Sequence, residues 1–199
     1  MATPQDNIKA MASGLHERHL KALNFRKSAN TWIRPTTWPQ VINVQLSRWN
    51  SAEEAQFTVN LGISIPELHV ASESLPLKGA LKEHDCDLRA RIGQLYPSKN
   101  DHWWKVTPTT DPDELAEDVF ARIDEFALPW FDRLMNFSSV AAEFTDRKSP
   151  FMAALAFHLA GDSTSAMESM SRAHEGSNTH FLSKLRRIAT TQGIQIQEG

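Results

Sequence analysis

The chain has 199 residues and a net charge of −3, and at 41% hydrophobic and 23% charged residues it can bury a core and is not a disordered polyampholyte. The acidic balance argues against general binding to nucleic acid or to an anionic membrane, since both need a basic surface that releases counterions. A single cysteine, Cys86, leaves no internal disulfide and no cysteine-rich zinc site. No apolar run approaches the roughly 20 residues that span a bilayer. The opening stretch MATPQDNIKAMASGL has no basic segment leading into an apolar one, as a secretory signal would. The expectation is a cytoplasmic protein.

Residues 5–24 place Ile8, Met11, Leu15, Leu20 and Leu23 on one helical face, with Gly14 weakening the middle. A turn at Ser28-Ala29-Asn30 precedes a short strand over residues 31–34, stopped by Pro35. Two stretches then alternate strictly between apolar and polar, VINVQLSRW at 41–49 and FTVNLGISI at 57–65. The connection between them suits an antiparallel hairpin with an acidic tip. Pro66 stops the second strand, and residues 67–83 lack a period and read as a loop. DCDLRARIG at 85–93 alternates again, with Cys86, Leu88, Ala90 and Ile92 on one side and Asp87, Arg89 and Arg91 on the other. After a turn cluster at 96–100, HWWKVT at 102–107 predicts a short aromatic strand.

The period then changes to that of a helix. Asp111, Pro112, Asp113 and Glu114 form a capped, acidic helix start, and Leu115, Val119, Ile123 and Phe126 form its buried stripe. Pro129 is expected to end or kink this helix near Leu128. From Ser149 onward the chain is rich in small residues. An Ala-rich helix ends at Gly161, a partner helix follows over 163–173, and another covers 178–190. The spacing of Ala154, Gly161, Ala166 and Ala173 resembles one tetratricopeptide-type helical hairpin. A single copy is not a stable array, so its apolar face must be covered by the rest of the protein or by a partner.

The fold expectation is α+β, with an antiparallel sheet of about four or five strands packed against an N-terminal helix and a long acidic helix, followed by a C-terminal helical hairpin. The division expected is an α+β domain over 1–145 and a helical extension over 149–199. NTWIR, QVINVQLS, FTVNLGI, CDLRARIG, WW and LPWFDRL, in that order, resemble a bacterial family catalogued as domain of unknown function 4304, over roughly residues 8–140. The resemblance implies an α+β domain with an antiparallel sheet. It implies no catalytic residue, because no activity is established for the family.

Candidate site residues follow from strand alternation. Asn43, Gln45, Thr58 and Asn60 share a face if the two long strands pair, and Arg89 and Arg91 join them if the third strand lies in the same sheet. A solvated face of a half-buried antiparallel sheet is the commonplace explanation of such a row. Against that, this face is short of Lys and Glu, and amides beside two fork-shaped guanidinium groups suit a carboxylate-bearing partner. Of the six tryptophans, about four are expected in the core, with Trp103 and Trp104 pointing to opposite faces. His84, Asp85, Cys86 and Asp87 have metal-compatible side chains that diverge in a strand, and His16 with His19 lacks an evident third ligand. Cys86 is expected to be buried alongside Leu88, without the basic neighbours that activate a thiolate. No nucleophile elbow, phosphate loop, zinc-protease motif or dinucleotide fingerprint occurs, so no catalytic, metal or cofactor residue is assigned.

The functional expectation is a non-catalytic protein-binding domain, of the immunity or adaptor kind, whose partner is another protein with an acidic surface, with no nucleic acid and no membrane among its ligands. The alternative is a small-molecule-binding protein or an enzyme whose pocket lies on the same polar face.

Overall fold

A computed structural model describes residues 2–74 and 79–197. In chain order, α1 (Pro4–Leu15) runs into a π-type turn (His16–Leu20) and is followed by β1 (Arg26–Ser28), β2 (Thr31–Arg34), β3 (Gln40–Leu46) and β4 (Ala55–Ile63). Next come α2 (Pro66–Ala71), β5 (Leu88–Arg91) and β6 (Trp104–Val106). Six further helices complete the described chain: α3 (Pro112–Arg122), α4 (Leu128–Arg133), α5 (Phe137–Asp146), α6 (Pro150–Leu159), α7 (Ser163–Glu175) and α8 (Thr179–Gln192). No helix among the described residues is long and apolar enough to cross a membrane.

The protein is α+β. Its antiparallel sheet has the order β1-β2-β3-β4-β5, with β6 paired to the first half of β4 on the edge that β5 occupies further along. The register follows the alternation. Asn43 faces Asn60, Val44 faces Val59, Gln45 faces Thr58, and Asn60 in turn faces Arg91. Ile42, Val44, Phe57, Val59, Leu61, Ile63, Leu88 and Ile92 are all buried. Leu46, on the same alternating side of β3, is 40% exposed where the strand leaves the sheet for the hairpin. Phe57 stacks on Trp104 at 5.2 Å across the β4–β6 pairing.

The helices that cover the core side form for local reasons. Thr3 and Asp6 cap α1 reciprocally, and Ile8, Met11, Ala12 and Leu15 form its buried stripe. The α1 helix packs along α3. Asp111 caps α3 through the amides of Asp113 and Glu114, with Pro112 at its first position. Pro129 acts as expected: a π-type turn at Ile123–Ala127 interrupts the helix just before it.

Two compact units result, residues 1–64 with 78–131, and residues 65–77 with 132–199. The second contains more than the Ala-rich hairpin. The α6–α7 pair lies at its centre, with α5 and α2 both packed on α6. The α2 helix takes up only the start of the stretch 67–83 expected as a loop, of which residues 75–78 lie outside the described residues. Pro66 stops β4 and then serves as the first helical residue, while only Leu68 and Ala71 bury a face. Six residues are too few to display a period, so packing on α6 decides the helix. Ala153, Ala154, Ala156, Ala166 and Ala173 are buried and let α6 and α7 approach closely. Leu155 and Met170 are fully buried, whereas Leu159 is half-buried.

Candidate functional site

The side of the sheet away from the aromatic core carries Asn43, Gln45, Thr58, Asn60, Arg89 and Arg91, as the register requires. It is not the open, solvated face that alternation implies. Thr58 is fully buried, Asn60 is only 7% exposed, and β4 is buried on both faces except at Gln56. The covering comes from two loops that follow no period, at 79–87 and 92–103, whose residues line clefts together with those of the sheet.

Strand β5 is shorter than the alternation suggests. Its ladder covers only Leu88–Arg91, because 3-10 turns at Glu83–Asp85 and Ile92–Leu95 bend the chain on either side. The first turn also relocates Cys86. It is buried, as expected, but not on the core side with Leu88: its Sγ lies where a Cβ on Gly62 would stand, 2.5 Å from that position. Gly62 is the partner of Arg89, on the polar face. Burial, reinforced by Glu83, Asp87 and Asp85, pushes the Cys86 thiol up to about 12, so it is not a nucleophile at neutral pH.

The turns bring acids to the two arginines. Arg89 donates through Nε to Glu83 Oε1 at 2.6 Å and through a terminal nitrogen to Oε2 at 3.2 Å. This fork-to-fork pair holds the Arg89 proton more firmly than usual. Arg91 donates to Asp101 Oδ2 at 2.5 Å, and its guanidinium lies 5.6 Å from the Trp103 ring centre. Beside Arg91, on the facing strand, Asn60 Nδ2 donates to Gln45 Oε1 at 2.7 Å. Gln45, Asn60, Arg89 and Arg91 thus meet in one cleft of about 380 Å³, joined by Glu83, Lys99 and Asp101.

The other two predicted residues do different work. Asn43 donates to Thr31 Oγ1 at 2.9 Å and to the Asn30 carbonyl at 3.3 Å, tying β3 to the β1–β2 turn. It lines a neighbouring cleft of about 310 Å³. Thr58 lines neither cleft, and its buried hydroxyl has no hydrogen-bond partner among the described residues. Glu83, Lys99 and Asp101 were not expected at the site, since they lie outside the periodic segments, and Trp103, expected in a strand, lies just before β6. The one sequence signal for the acids is proximity, because each lies within ten residues of the arginine it meets.

Elsewhere, Trp32, Trp38, Trp104 and Trp130 are in the core. Trp103 and Trp104 do point to opposite faces, while Trp49 is 89% exposed on the β3–β4 hairpin. His19 stacks on Phe120 at 3.9 Å and bonds Glu117, joining the end of α1 to α3. No group of three or more His, Cys, Asp or Glu side chains able to hold a metal occurs among the described residues.

Comparison with curated proteins and with solved structures finds no match. A family model, in contrast, matches residues 17–133, which contain the whole sheet, its two covering loops and the cleft. The chain belongs to the family described as Domain of unknown function (DUF4304).

Proposed function

We propose that the protein is a non-catalytic protein-binding domain of the bacterial cytoplasm, serving as an immunity or adaptor protein, and that it meets an acidic partner through the polar face of the sheet. One observation carries this reading. Two guanidinium groups are held in set orientations by acids, on a rigid ladder, beside the Gln45–Asn60 amide pair. Ordered donors bind with less loss of side-chain freedom than mobile ones. Lys99 adds a third cation to the same cleft.

Affinity capture with wild-type bait and with an Arg89→Ala, Arg91→Ala double variant tests the reading, with circular dichroism as the check on folding. The expected loss for an interface anchor is about 2 kcal/mol or more, roughly thirtyfold in affinity. A well-folded double variant that still captures every partner would refute it.

The cleft volume of about 380 Å³ also supports a second reading, since it falls in the range of small-ligand sites, roughly 300–1,000 Å³. A small anion retained by the wild type in native mass spectrometry, and lost from the double variant, would favour that alternative.

A further inference from the structure

We infer that Asp101 occupies, within the protein itself, the seat on Arg91 that a carboxylate of the partner takes, so that this aspartate is a displaceable internal competitor while Glu83 is a fixed wall. The inference rests on the polar face being a protein-binding surface, and the occupant is an Asp or Glu side chain in an acidic segment of the partner. The two arginine pairs look alike in sequence but differ physically. The Glu83 side chain is 11% exposed and grips Arg89 by both oxygens. Removing it from Arg89 would leave a nearly buried carboxylate unpaired, which is strongly unfavourable. The Asp101 side chain is 46% exposed and meets Arg91 through a single hydrogen bond. Exposed pairs of that kind contribute little to stability, so Asp101 can return to water at small cost.

The surroundings of Arg91 favour exchange at this seat. Lys99 lines the cleft, is exposed, and makes no ion pair with any described residue. Gln45 Nε2 makes no hydrogen bond to a described residue, because the Asn60 contact uses Gln45 Oε1. A carboxylate arriving on Arg91 thus enters a cleft that also holds a second cation and an amide donor. The backbone beneath need not open: a Cβ on Gly93 would stand 2.2 Å from the Asn100 carbonyl and 2.6 Å from the His102 amide. That close approach holds the Asp101 backbone while its side chain rotates away.

The probe is an acetylated, amidated hexaglutamate peptide, titrated into the full chain by calorimetry. Asp101→Asn and Glu83→Gln each remove one negative charge from the same cleft, so a gain common to both is long-range electrostatics. The seat predicts that Asp101→Asn binds about fivefold tighter than Glu83→Gln, the size expected when a weak exposed competitor is removed. Adding Arg91→Ala should abolish the gain. Thermal unfolding checks each variant, and Asp101→Ala serves as a second removal of the carboxylate. An Asp101→Asn protein no tighter than Glu83→Gln, or a gain that survives Arg91→Ala, overturns the inference. Failure of every variant to bind the peptide also overturns it, while capture that depends on Arg89 and Arg91 would leave the binding-surface reading standing.

Discussion

Cys86 shows how one residue can be placed correctly in burial and incorrectly in direction. A thiol two positions before Leu88 in a continuous strand would share its face. The 3-10 turn ahead of β5 lifts Cys86 off the ladder, and the missing side chain of Gly62 makes room for it on the other side. The consequence is measurable in alkali. Burial raises the folded-state pKa from an ordinary 9.0 to about 12, so the fold binds the thiol proton more tightly than the unfolded chain does. That contribution to stability is intact below pH 9 and is lost as pH rises towards 12. The difference in urea-unfolding free energy between wild type and Cys86→Ala should therefore shrink over this interval. A constant difference across it would show that the thiol is not held protonated.

Among the elements, α5 illustrates a helix tied down by one carboxylate. Glu143 accepts from Arg133 at 2.6 Å and from Arg147 Nε at 2.8 Å, joining α4's last residue to α5 and its C-cap. Burial works to raise the Glu143 pKa, but the hydrogen bonds from both arginines overcome it and hold the group below its usual range. A folded pKa below the unfolded one means stability that is present above the ordinary 4.5 and lost as pH falls through the folded value. Glu143→Gln should lower the unfolding free energy at pH 7 by about 1–2 kcal/mol, in line with hydrogen bonds to a charged, partly buried group. It should also weaken the acid dependence below the ordinary 4.5, measured by urea titration at several pH values. An unchanged acid limb would mean that the arginines do not lower the Glu143 pKa.

For the whole molecule, the notable feature is that residues 65–77 belong to the helical unit although they directly follow β4. Leu68 and Ala71 are buried in the unit that contains α6, on which α2 packs. Cooperative opening follows packing and not sequence. In native-state hydrogen exchange, the amides of His69 and Ser72, bonded to the Ile65 and Leu68 carbonyls, should therefore open with the free energy of α6 and not with that of β4. Exchange of α2 in step with β4 would contradict the grouping. Destabilising α6, for example by Leu155→Ala at a fully buried position, should lower protection in α2 by a similar amount.

The sequence by itself determined what depends on local periodicity and local chemistry. The α+β class, the pairing of β3 with β4, the face shared by Asn60, Gln45 and Arg91, the start of α3 and the break before Pro129 all follow from alternation, capping and proline sterics acting within a few residues. Tertiary structure decided what depends on contacts between segments without a period. Loops 79–87 and 92–103 turned a half-open sheet face into a cleft, supplying Glu83, Lys99 and Asp101. The α2 helix formed because α6 offered it a surface. A strand or helix repeats its environment and so writes it into the sequence. A loop meets each neighbour once, and only the folded chain reveals which side chains it brings to the arginines.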